Sequence, residues 1–110
     1  MKSLIFIISL LIILVGCTQQ SAQNLSDNTS NQIIISGYEF TPSSITIDVG
    51  TSVTWVNQDS APHTIISDNS VFSSPVLNNG ASYSFTFNSA GIYNYHCSIH
   101  PTMQGVIIVE

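Results

Sequence analysis

The stretch Gly91-Ile92-Tyr93-Asn94-Tyr95-His96-Cys97-Ser98-Ile99-His100-Pro101-Thr102-Met103-Gln104-Gly105-Val106 decides how the rest of this chain is read. Its first half has the period of a strand, so Tyr93, Tyr95 and Cys97 share one face while Ile92, Asn94 and His96 share the other. With the aromatic rings turned to a core, Cys97 points inward at the strand's end and His96 points away. Ser98 to Gln104 then reads as a loop, narrowed in its conformations by Pro101, that turns His100 and Met103 back towards Cys97. The spacing sets a thiolate, an imidazole and a thioether three residues apart. An upstream histidine, His63 in Ala61-Pro62-His63-Thr64, is a candidate fourth donor.

Outward from this stretch the chain reads as strands. Ile33-Ile34-Ile35 opens the series, and Ile45, Ile47 and Val49 alternate with Thr46 and Asp48 as in a half-buried strand. Gly50-Thr51 marks a turn before Val53-Thr54-Trp55-Val56, and His63-Thr64-Ile65-Ile66 reads as a further short strand. Tyr83, Phe85 and Phe87 alternate with Ser82, Ser84 and Thr86. After a turn over Asn88 to Gly91, Ile92 to Cys97 runs in, and Val106-Ile107-Ile108-Val109 completes the set. Asn, Gly, Pro and Ser punctuate these runs, and no segment carries a helical stripe. The expected fold is all-β, a Greek-key β-sandwich of seven to eight strands.

The N-terminal region is different in kind. Lys2 precedes Leu4 to Val15, twelve residues that are apolar apart from Ser9. As a helix that run reaches roughly 18 Å, short of the ~30 Å hydrocarbon core, which fits a signal-peptide core better than a membrane span. It ends in Leu14-Val15-Gly16-Cys17, which looks like a lipobox with Cys17 as the lipid-modified residue. The alternative is an ordinary signal peptide with an incidental cysteine. Thr18 to Asn31 is rich in Ser, Gln and Asn and shows no periodicity, so it reads as a disordered tether with an r.m.s. reach of roughly 20 Å. The expected organisation is a signal over residues 1–16, lipidated Cys17 and tether over 17–31, and a domain over 32–110.

Cysteine and charge counts narrow the function. The chain has two cysteines; with Cys17 carrying lipid, Cys97 has no disulfide partner, and a lone thiol in an exported protein calls for an explanation such as metal ligation. The one basic residue, Lys2, leaves with the signal, and six carboxylates remain: Asp27, Glu39, Asp48, Asp59, Asp68 and Glu110. Nucleic acid, which needs a cationic footprint, is thereby excluded, and a charge-steered partner is basic or neutral on its facing side. The carboxylates are scattered and read as solvated surface.

The quoted stretch resembles the C-terminal copper loop of the cupredoxins, and its Cys-x-x-His-x-x-Met step is that of the amicyanin type. Val53-Thr54-Trp55-Val56-Asn57 followed by Ala61-Pro62-His63 is similar to the family's first-ligand region. The resemblance covers nearly all of residues 32–110. It implies His63, Cys97 and His100 as strong ligands of one type 1 copper ion and Met103 as a weak axial one. Two nitrogens, a thiolate and a distant thioether form the ligand set of a blue-copper electron-transfer site. The family often has Asn after the first histidine, where it ties the two ligand loops together. Here that residue is Thr64, whose hydroxyl is expected to make a similar bond and whose presence is expected to alter the potential.

Taken singly, each residue has a plainer reading: Met103 as packing, His63 as a satisfied histidine, Cys97 as an inert buried thiol. Four such coincidences in the family's order argue for the copper site. A Cys–His hydrolase needs a cleft and an oxyanion hole that a 79-residue sandwich with three histidines hardly offers. A multicopper oxidase needs further histidines, a binuclear copper site a second loop cysteine, and structural zinc a better ligand than methionine. The expected function is therefore that of a one-electron carrier, not an enzyme. It works as a monomer with redox-protein donor and acceptor, anchored by lipid at the outer face of a cytoplasmic membrane. The runner-up is a lipoprotein that stores or delivers copper. Electron exchange is expected at His100, with Ile99, Pro101 and Pro62 as the docking surface.

Overall fold

The computed structural model describes residues 31–110. The expected signal, Cys17 and the tether up to Ser30 lie outside the described residues. Alternating burial drives the chain from Gln32 onward into eight strands: β1 (Gln32–Ser36), β2 (Glu39–Thr41), β3 (Ser44–Ile47), β4 (Thr51–Asn57), β5 (Ile66–Ser67), β6 (Ser82–Phe87), β7 (Gly91–His96) and β8 (Gln104–Val109). They form two four-stranded sheets, ordered β2-β1-β4-β6 and β3-β8-β7-β5. β1 runs parallel to β4, and β3 parallel to β8, while the other pairs are antiparallel. The all-β expectation holds.

Each strand turns one set of residues inward. Ile33 and Ile35 of β1, Val53 and Trp55 of β4, Phe87 of β6, Tyr95 of β7 and Ile107 and Val109 of β8 meet between the sheets. Trp55 is the hub: its ring lies edge-on to Tyr95 at 5.4 Å and tilted against Phe72 at 5.7 Å. Burying a large apolar side chain of this kind contributes roughly 1.5–3 kcal/mol. Tyr95 faces Gly105 across the β7–β8 pair. A Cβ at Gly105 would overlap the Tyr95 ring, so the close approach of ring to backbone requires glycine here.

Two strand expectations need correction. Val49 does not extend β3: the strand stops at Ile47, Gly50 takes a positive φ of 93°, and Val49 is exposed. The run His63 to Ile66 is not a continuous strand. His63 makes a lone bridge to Leu77 and only Ile66–Ser67 pairs as β5. Side-chain bonds hold this segment instead of a ladder, with the N–H of Ile65 donating to Ser74 Oγ at 2.8 Å.

Because β1 and β4 are parallel, with Ile35 opposite Asn57, their C-terminal ends finish at the same pole. The N–H of Gln58 donates to the Ile35 carbonyl at 2.8 Å, and the chain beyond β4 thus starts beside the Gly37–Tyr38 turn that follows β1. These juxtapositions set up the site.

Candidate metal centre

His63 follows β4 in a loop that would be loose but for Asn57. The Asn57 amide is fully buried and donates to the carbonyls of Ala61 at 2.9 Å and Leu77 at 2.8 Å. Its Oδ1 accepts the N–H of Asp59 at 2.8 Å. Backbone bonds between His63 and Leu77 run in both directions, at 3.0 and 2.7 Å. The imidazole is thereby delivered, wholly buried, to the interior.

Cys97 follows β7 on the face of Tyr95, as its parity predicts, and is also wholly buried. Its N–H donates to the Met103 carbonyl at 3.1 Å, and the N–H of Met103 donates to the His100 carbonyl at 2.9 Å. The loop from Cys97 to Met103 is therefore closed on itself, with Met103 buried and His100 half-buried. His96 turns outward, its Nδ1 2.8 Å from Asp68 Oδ1, and takes no part.

Three donor atoms converge. His63 Nδ1 and His100 Nδ1 are 3.2 Å apart, and they lie 3.7 and 3.8 Å from Cys97 Sγ. The point equidistant from all three lies about 2.1 Å from each, the bond length of a first-row transition metal to imidazole or thiolate. Among the described residues, this is the one cluster of three or more His, Cys, Asp or Glu that gathers so closely. Asp59 Oδ2 stands 2.9 Å from His63 Nε2; a carboxylate can only accept there, so Nε2 carries the hydrogen and Nδ1 presents its lone pair inward. Burial pushes the Cys97 thiol up, but the N–H of Thr64, the His63 side chain and the backbone and side chain of His100 outweigh it and bring it down to about 6. The donor set, one cysteine sulfur and two imidazole nitrogens, fits copper.

Thr64 ties the two ligand loops together, as its position suggests. Its N–H points at Cys97 Sγ at 3.4 Å, its Oγ1 accepts the N–H of Ser98 at 2.8 Å, and the two hydroxyls meet at 2.9 Å. Ile99 and Pro101, the chain neighbours of half-buried His100, are exposed, as is Pro62 beside His63.

Two residues at the site escaped the sequence reading. Asp59 is not solvated surface: only 12% of its side chain is exposed, and it bonds His63. Tyr38, in the turn after β1, sets its ring edge-on to His63 at 5.2 Å and to His100 at 4.8 Å. The spacing of Asp59 four residues before His63 was the available signal for the first. No periodic signal marks Tyr38, which reaches the site through the parallel β1–β4 pairing.

Comparison with known proteins gives one answer. The sequence profile of the cupredoxin-like domain matches residues 6–109. Amicyanin of Paracoccus denitrificans is 36% identical over 69 residues, covering 58% of this chain; the chain spans about half of that relative's length, 53%. Plastocyanin of Scenedesmus fuscus is 40% identical over 84 residues, 64% of this chain and 86% of the relative. A solved Cu(I) form of an amicyanin point variant superposes with a TM-score of 0.69 at 33% identity, over 72% of this chain and 80% of that one. With its two-sheet fold, its convergent His63, Cys97 and His100 and a profile match over nearly its whole length, this chain belongs to the family of cupredoxin-like domains.

Proposed function

We infer that this protein holds one type 1 copper ion and carries single electrons between redox proteins. The residues that would hold it are His63 and His100 through Nδ1, Cys97 through its thiolate, and Met103 through a weak thioether contact. When bound, copper supplies a reversible one-electron couple in such a ligand set. The observation that carries this reading is the convergence of two imidazole nitrogens and a thiolate on a point about 2.1 Å from each.

The chain's own part is to hold these donors still. His63 is fixed by Leu77 and Asp59, Cys97 by Thr64 and Met103, and the Cys97–Met103 loop by its internal bonds. Donors fixed by the fold need not move when charge changes, which keeps the reorganisation small. Burial excludes water from Cys97 and protects the thiolate from oxidation. His100, half-buried between exposed Ile99 and Pro101 and with exposed Pro62 preceding His63, would offer a small apolar docking surface suited to brief electron-transfer encounters.

Adding Cu(II) to the purified protein tests this. An intense thiolate-to-copper visible band, bleached by reductant, restored by oxidant and lost in Cys97→Ser, is the expected result. A colourless protein overturns the reading. Loss of copper at each reduction cycle would replace the carrier with the storage or delivery role.

The Leu14-Val15-Gly16-Cys17 motif supports lipid attachment at Cys17 and residence at the outer face of a cytoplasmic membrane. Mass spectrometry of the mature protein tests it: a diacylglyceryl Cys17 is expected, and a free N-terminus elsewhere overturns it.

A further inference from the structure

Asp59 has more partners than a ligand's neighbour needs. Its Oδ2 is 2.9 Å from His63 Nε2 and also accepts the N–H of Tyr38 at 2.9 Å, while its Oδ1 accepts the N–H of Gly37 at 2.8 Å. Gly37 and Tyr38 both take positive φ, 64° and 60°. For a tyrosine such a turn is costly, and the carboxylate that gathers both amides holds it. The Tyr38 ring then stands edge-on against both imidazoles. Asp59 is itself fixed from behind: its N–H donates to Asn57 Oδ1 at 2.8 Å, and its carbonyl accepts from Asn79 Nδ2 at 2.9 Å. One carboxylate therefore joins a buried imidazole to the aromatic wall of the site.

We propose that Asp59 is a positioning residue that sets the electron affinity of the metal centre. It fixes His63 as the Nε2–H tautomer, places negative charge against the buried imidazole, and holds Tyr38 over His63 and His100. The proposal rests on the copper reading above. A carboxylate on a ligand histidine makes the ring a stronger donor, and its charge acts at low dielectric because His63 has no exposure to water. Both effects favour the more highly charged Cu(II) over Cu(I). The potential is set by the ratio of Cu(II) to Cu(I) affinity, so the preference would appear directly in it.

Asp59→Asn, which keeps the shape and removes the charge, tests this in the full-length protein loaded with copper. The expected result is a Cu(II) affinity weakened about 10- to 100-fold, the range for such outer partners, with Cu(I) affinity changed less. The potential therefore rises, by about 59 mV for each tenfold in the ratio. Asp48→Asn, which removes a carboxylate outside the site, serves as the charge control and is expected to change the ratio less than threefold. Equal small changes in the two variants overturn the proposal.

The metal-free protein gives a second readout. Proton–nitrogen correlation of labelled histidine should show His63 as the Nε2–H tautomer in the wild type and a tautomer mixture in Asp59→Ala. A single unchanged tautomer in Asp59→Ala overturns the positioning role. Should Asp59→Ala fail to fold, the potential of Asp59→Asn still decides. A wild type that takes up no copper refutes the copper reading instead, while the tautomer measurement continues to read the Asp59–His63 pair.

Discussion

Thr64 Oγ1 accepts the backbone N–H of Ser98 at 2.8 Å, and this bond joins the loop that carries His63 to the loop that carries Cys97 and His100. The loops leave β4 and β7, strands of different sheets, and the only ladder that links them is the two-residue β5–β7 pair, with Ile66 opposite His96. Thr64→Val keeps the branched shape and removes the acceptor of the Ser98 N–H, which is exposed enough to turn to water. The expected cost is about 0.5–1.5 kcal/mol, read as a lower denaturation midpoint of the metal-free protein. Thr64→Ser, which retains the hydroxyl, should recover most of it.

Cys97 gives the metal-free protein a defined pH dependence. Its folded value is depressed from 9.0 to about 6, so the unfolded chain binds more protons between these limits. The contribution to stability is fully present above about 9, shrinks as pH falls, and is gone below about 6. Subtracting the denaturation profile of Cys97→Ser from that of the reduced wild type should leave a difference that rises with pH across this window. A flat difference would contradict the depressed thiol.

Gly105→Ala should be destabilising out of proportion to one methyl group. The added carbon overlaps the Tyr95 ring, which is buried among Trp55, Phe40 and Phe72 and has nowhere to go. Overpacking of this kind costs about 1–3 kcal/mol, measured by chemical denaturation. Tyr95 immediately precedes His96 and Cys97, so a shifted thiolate-to-copper band should accompany the loss.

Ile99 is exposed beside His100 and makes no side-chain hydrogen bond. Ile99→Glu should slow electron exchange with a redox partner about tenfold, because a charge at the rim of an interface acts on encounter. The visible spectrum should not change. An unchanged rate would remove Ile99 from the docking surface.

How legible the structure was varied with what holds each part. β4, β6 and β7 are read correctly because each alternates in burial and the period survives in the sequence, whereas β8 is read as a short run apolar at every position from Val106 to Val109. The inward turn of Cys97 and the outward turn of His96 follow from the same period. β2 is three residues long and leaves no pattern. The His63 segment looks like a strand because it is apolar, yet a single bridge to Leu77 and side-chain bonds replace the ladder. Tyr38, and the hold that Asp59 has on it, were illegible for a third reason. Their roles depend on the parallel pairing of β1 with β4, a contact between segments some twenty residues apart that no local window contains.

The pairing of β8 orders events during biosynthesis. Val106 to Val109 pair with both β3 and β7, and the loop that presents Cys97 and His100 ends where β8 begins. The bond from Cys97 N–H to the Met103 carbonyl is therefore secured only once β8 has docked. Pairings of such long sequence separation form in milliseconds to seconds. Until then Cys97 lacks the burial that shields it in the folded domain, so the chain is most vulnerable between the synthesis of Cys97 and the docking of β8.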